Sequence, residues 1–142
     1  MNTYSYEDIY IGMSEGFTAV LDNEYIDCFR KFTKDINPLH KDDCFAKSKG
    51  YERKVVFGML IASFYSTLAG VYIPGQNSLI HSITVKFVKP VYAPPTTYCE
   101  NLFVNGVVSE KDDRFKLLTI KATIKNQNKE TVSRAVIKAA VI

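Results

Sequence analysis

No run of about eighteen apolar residues occurs anywhere along the chain, which excludes a membrane-spanning helix. Residues 1–16, MNTYSYEDIYIGMSEG, carry acids and lack a basic stretch leading into an apolar one. They do not read as a secretory signal, and a cytoplasmic location is expected. Cysteine is sparse: Cys28, Cys44 and Cys99 lie far apart and form no Cys-x-x-Cys pair. That pattern supplies neither a disulfide framework nor a zinc site, and free thiols are expected. Charge of one sign is not in large excess either. A net charge of +3 on scattered lysines, with no basic helix, does not point to a nucleic-acid partner. No repeat, low-complexity tract or Gly/Ser-rich linker divides the 142 residues, so one domain over 1–142 is expected, long enough to bury a core.

What is present changes period midway. Residues 16–21, GFTAVL, read as a short strand. Asp22 or Asn23 is placed to cap a helix running to about Lys34, with Tyr25, Ile26, Phe29 and Phe32 at helical spacing. Asn37-Pro38 ends that pattern, because a residue before proline is pushed out of the helical region. Asp42 is placed to cap a short turn of helix over 43–48. Residues 55–71, VVFGMLIASFYSTLAGV, form the longest apolar run and predict a nearly buried helix, with Val56, Met59, Leu60, Ser63, Phe64, Thr67 and Leu68 on one face. After Ile73-Pro74-Gly75 the period becomes two. Ile83, Val85 and Phe87 alternate with Thr84, Lys86 and Val88, and further strands are expected near 97–108, 115–126 and 131–142. In the last of these, Ser133, Ala135, Ile137 and Ala139 form the better candidate for the buried side. One apolar helix followed by four long strands is an α+β layout, an antiparallel sheet packed on a buried helix.

The candidate chemistry lies in Asp35-Ile36-Asn37-Pro38-Leu39-His40. Proline forces the chain to turn, so the aspartate and histidine can converge without sharing a helix. An unperturbed imidazole titrates near pH ~6.5, and a carboxylate beside it can hold or accept protons. Such a pair can bind one water, take its proton and return a proton to a neighbouring carbon, which is what hydration of a double bond next to a carbonyl needs. The competing reading is a simple solvated turn, since Asp, Asn and Pro all favour loops.

The motif sits in an ordered series. Phe45-Ala46 follows it, then Val55-Val56-Phe57-Gly58-Met59-Leu60, Ser63 and Ser66, then Pro74-Gly75 and Phe87-Val88-Lys89-Pro90-Val91. This series resembles the MaoC-like (R)-specific enoyl-thioester hydratases, which have the hot-dog fold, an antiparallel sheet wrapped around a long central helix. The resemblance covers roughly residues 25–105 in motif detail. It implies that Asp35 and His40 activate the water, that Asn37 supports the site by hydrogen bonding, and that the Gly58 N–H polarises the thioester carbonyl. Physics agrees with the last role, because a helix N-terminus offers free N–H groups and a favourable dipole to developing negative charge. Ser66 matches a serine near the catalytic pair. Two positions depart from the family pattern: Lys34 stands where glycine is common, and Phe57 where histidine is common. Phe57 is expected to bear on the cleft mouth and on turnover.

The candidate metal ligands are not clustered, so no metal is expected. The acyl carrier, coenzyme A or acyl carrier protein, is expected as part of the substrate and not as a cofactor, and the resemblance implies a homodimer with the site at the subunit interface. A hot-dog thioesterase is the nearest alternative, but those enzymes place an acid on the central helix and residues 55–71 contain none. A non-catalytic acyl-thioester-binding module is the other, and it would be expected to have lost Asp35 or His40. His81 has no acid near it in sequence and is read as structural. Bulky Phe64, Tyr65 and Tyr72 point to a short acyl chain.

Overall fold

Apolar–polar alternation in the second half of the chain is carried directly into a sheet. The computed structural model describes residues 1–142. Its strands are β1 (Ser14–Leu21), β2 (Ser78–Phe87), β3 (Glu100–Asp112), β4 (Leu117–Lys125) and β5 (Thr131–Val141), joined in the order β1-β3-β4-β5-β2. Every neighbouring pair is antiparallel. Leu102, Val104 and Val108 of β3 point to the same face as Leu118, Ile120 and Ile124 of β4, and all six are buried. Ser133, Ala135, Ile137 and Ala139 of β5 are buried with them, as their alternation predicts.

The covering element is α3 (Gly58–Thr67), which continues through a wider π turn over Leu68–Tyr72. Leu60, Ile61, Tyr65, Leu68 and Ala69 press onto the sheet. The approach is close enough that a Cβ on Gly106 of β3 would lie 2.7 Å from Leu68 Cδ2, so the helix rests where the sheet has no side chain. No helix is long and apolar enough to cross a membrane.

Two features of α3 differ from the sequence expectation. The helix begins at Gly58, because Val55 is drawn into a β-bridge with Tyr92 and Phe57 is the non-helical cap residue. Its buried face is also rotated: Met59 is 66% exposed and Ser63 is exposed, whereas Tyr65 is fully buried. Tyr65 is neither pocket wall nor surface. Its hydroxyl donates to Ser133 Oγ at 2.9 Å, and Ser133 Oγ donates to Lys86 O at 3.3 Å, satisfying the only buried polar side chain of β5. Phe64 and Tyr72 pack on Phe17 of β1, at 6.5 Å and 4.8 Å between ring centres.

Burial drives the Tyr65 phenol up to about 12, against a small opposing effect of the Ser133 hydrogen bond. Tyr6, also buried and bonded to Asp113, is pushed up to about 12 as well. A raised folded-state pKa contributes stability that is complete below the unfolded value near 10 and is lost as pH rises toward 12. Alkaline unfolding is therefore expected to steepen between pH 10 and about 12. Denaturant midpoints across that window check this, and Tyr65→Phe should flatten the slope. An unchanged slope would exclude Tyr65 as a cause.

The segment before the site forms as its cap residues dictate. Asp22 accepts from Tyr25 N–H at 2.9 Å to start α1 (Asn23–Thr33), and Lys34 closes it in the left-handed region at φ 61°. Only Ile26 and Phe29 of its aromatic–aliphatic series pack inward; Tyr25 and Phe32 are 55% and 86% exposed. Asp42 caps the short α2 (Asp43–Ser48) by accepting from the Cys44 and Phe45 N–H groups.

Candidate active site

Between α1 and α2 the chain makes two successive side-chain-to-backbone turns. Asp35 Oδ1 accepts from Asn37 N–H at 2.9 Å, and Asn37 Oδ1 accepts from Leu39 N–H at 3.0 Å. The second turn starts a single 3-10 turn, Pro38–His40, with proline at its first position, where no N–H is needed. Asn37 thus acts through the backbone that delivers His40. Asp35 and Asn37 are both exposed on this loop, and Asp35 Oδ2 has no protein partner.

His40 is held from two sides. Its Nδ1 lies 2.7 Å from Val55 O. A carbonyl only accepts, so Nδ1 carries a proton, and Nε2 is the nitrogen left without a protein partner. Val55 is itself fixed, by its N–H to Leu39 O at 3.1 Å and by its bridge to Tyr92. The second support is Phe57, whose ring centre is 4.2 Å from that of His40 and 5.3 Å from that of Phe29. Phe57 is only 2% exposed.

His40 and Gly58 face one cleft of about 280 Å³, walled chiefly by Val56, Ile61, Phe87 and Val91. Gly58 is the first residue of α3, and no side chain caps that helix end or brings a carboxylate to it. Its leading N–H groups therefore have no intrahelical or side-chain acceptor. A Cβ there would meet the Phe87 ring at 3.0 Å, so a larger residue needs that half-exposed ring to give way. Of the five residues singled out from sequence, His40 and Gly58 are thus brought together. Asp35 and Asn37 stand on the approach loop, and Ser66 is exposed further along α3 outside the cleft lining. His81 is exposed at an irregularity in β2 and makes no side-chain hydrogen bond. No cluster of three metal-ligating side chains occurs. Sequence reading missed Phe57 as a support of His40 and Phe87 as the cleft wall. The only signal for the former was its departure from a common histidine.

A sheet wrapped on one central helix, with an imidazole beside an open helix N-terminus, defines a hot-dog domain with a cleft at that helix end. The model for the MaoC like domain matches residues 12–133, and the chain belongs to that family. A stretch of 64 residues is 41% identical to an (R)-specific enoyl-CoA hydratase of Aeromonas caviae, over 45% of this chain and 48% of that protein. The chain thus spans about half the length of that relative. Over 118 residues it is 29% identical to an (R)-specific enoyl-CoA hydratase of Rhodospirillum rubrum, covering 83% of this chain and 78% of the relative. The solved structure of the (R)-hydratase from A. caviae involved in PHA biosynthesis superposes with a TM-score of 0.87 at 23% identity, covering 96% of this chain and 99% of the other. That likeness establishes the fold.

Proposed function

We propose that the chain adds water across trans-2-enoyl thioesters to give (R)-3-hydroxyacyl thioesters, and catalyses the reverse dehydration. The observation that carries this reading is the shared cleft of His40 and Gly58, with Nδ1 committed to Val55 O and Nε2 left free. Water bound between Nε2 and the carboxylate of Asp35 loses a proton to the pair as its oxygen bonds to C3. The C2–C3 π electrons move onto the thioester oxygen, where the Gly58 N–H and the α3 dipole stabilise the enolate charge. The enolate collapses and C2 takes the proton back from the pair, so the catalyst ends as it began. Asn37 serves by shaping the turn that carries His40.

The family relationship and the curated relatives' names, which include 3-hydroxyacyl-[acyl-carrier-protein] dehydratase of Arabidopsis thaliana, support the same chemistry. The cleft volume suits a short acyl chain. The α3 sequence, GMLIASFYST, offers no carboxylate for a thioesterase base. Crotonyl-CoA separates the readings: hydration bleaches the enoyl-thioester absorbance, thioesterase action releases thiol, and a binding module does neither. Bleaching without thiol is the expected outcome, and thiol release at the same rate would replace this reading with the thioesterase one.

The working unit in this reading is a homodimer. Strand β2 leaves one edge unpaired, and the exposed Leu79, Phe87 and Val88 on or beside it are apolar surface that a second copy would cover. Sedimentation should give twice the 16.1 kDa chain mass; a single-chain mass at assay concentrations would remove the dimer from the mechanism. Three free, exposed cysteines accord with a cytoplasmic location.

A further inference from the structure

The outer face of the sheet, turned away from α3, carries charge of one sign. Strands β2, β4 and β5 contain no aspartate or glutamate. With Ser133, Ala135, Ile137 and Ala139 turned inward on β5, Arg134 and Lys138 point outward. Leu118, Ile120 and Ile124 leave Lys121 and Lys125 outward on β4 by the same alternation. Lys86 of β2 stands opposite Arg134 in the register and shares its face. All five are exposed, and none enters an ion pair. Strand pairing thus gathers cations that lie scattered along the sequence. Lys86, Lys121 and Arg134 rim an open hollow of about 360 Å³ whose lining includes Thr84 and Thr123. The arrangement costs stability, because like charges directly opposite on neighbouring strands repel, as Lys86 and Arg134 must. A surface shaped for solubility alone mixes both signs. Opposite β4, acids appear only at Glu110 and Asp112 of β3.

We propose that this face docks the chain reversibly on a membrane surface rich in anionic phospholipid. The cations lie on three adjacent strands, so they spread about 10 Å across the sheet and about 20 Å along it. One lipid surface reaches them all, since its potential falls off over a Debye length of about 8–10 Å. Cations spread in two dimensions match a plane of headgroup phosphates, whereas a nucleic-acid backbone is matched by a single track of them. Lys86, Lys121, Lys125 and Lys138 are point charges on flexible stems, which attract phosphate without fixing its geometry. Exposed Phe103, Val107 and Val136 are interspersed with them and form no continuous apolar core, as a protein partner would need. The contact is peripheral, because no helix is long and apolar enough to enter the bilayer as a span. The cleft at His40 and Gly58 lies on the α3 side and stays open to solvent. The proposal does not depend on the acyl chemistry.

Flotation of the full chain with phosphatidylcholine vesicles, with and without phosphatidylglycerol, tests the face without any turnover. Binding is expected to the anionic vesicles alone, and to be lost at about 0.5 M salt, where the Debye length falls to about 4 Å. Lys121→Gln/Arg134→Gln should weaken it about tenfold or more, because each cation near an anionic surface adds to the attraction. Lys41→Gln/Lys47→Gln makes the same change of net charge away from this face and should bind as the parent does. Removing Arg134 relieves its repulsion with Lys86, so the first variant should keep or raise the thermal midpoint, which separates lost binding from lost fold. Absence of binding to the anionic vesicles, equal binding to phosphatidylcholine alone, or undiminished binding in Lys121→Gln/Arg134→Gln would each overturn the proposal. An equal loss in both double variants would do the same, by reducing the effect to net charge. So would tighter binding to duplex DNA than to the vesicles at matched phosphate, which would make the face a nucleic-acid surface instead.

Discussion

Replacing His40 with alanine is expected to lower kcat for crotonyl-CoA hydration by about 10²–10⁴-fold, the usual contribution of a positioned general base. The size of the effect follows from how the ring is held. With Nδ1–H donating to Val55 O at 2.7 Å, Nε2 is the one basic atom that His40 offers to the cleft. Alanine also leaves Val55 O without its donor, so a small loss of stability accompanies the loss of rate. His40→Asn separates the two, because an amide N–H can donate to Val55 O while the side chain supplies no base. The asparagine variant should keep the thermal midpoint and still lose the rate. Asp35→Asn is expected to fall in the same direction, since the proposed mechanism gives its carboxylate a share of the water. Undiminished turnover in either His40→Ala or Asp35→Asn would end the assignment of this pair.

Much of the scaffold was legible because it rests on local rules. The inward set Ser133, Ala135, Ile137 and Ala139 follows from alternation alone, and Asp22 and Asp42 cap the helices they precede. The start of α3 was not legible in the apolar pattern, and only the family motif pointed to Gly58. Val55-Val56-Phe57 is as apolar as the helix it precedes, and only the Val55–Tyr92 bridge, made by residues distant in sequence, holds it extended. The buried face of α3 differs for a related reason: a helix apolar on nearly every side has little periodicity to orient it, so Met59, expected on the buried face, is exposed, while Tyr65, expected as core or pocket wall, is core. At the site, the Asp35–His40 spacing and the glycine opening α3 were visible as a motif. The Nδ1–Val55 bond spans fifteen positions, and the contact of Phe57 with His40 depends on where α3 begins. Neither leaves a mark in a linear pattern.

That contact sets the second large effect. Phe57 is 2% exposed and wedged between Phe29 and His40, so Phe57→Ala is expected to cost about 3–5 kcal/mol through lost burial and the cavity left behind. For a domain of this length that corresponds to a fall in Tm on the order of 10 °C, measurable by calorimetry. Phe57→Leu is the more informative variant, because it keeps most of the apolar volume while removing the flat ring against the imidazole. Phe57 also links both halves of the site: its side chain backs His40, its carbonyl accepts from Ile61 N–H in the first turn of α3, and the next residue is Gly58. Loosening it should broaden the range of His40 positions relative to the Gly58 N–H without touching the thioester. The expected signature is a drop in kcat of about tenfold, the cost of a misplaced base, with KM little changed. A rise in KM at constant kcat would show instead that Phe57 contacts the substrate, and unchanged kinetics in a leucine variant of lowered Tm would confine it to the core.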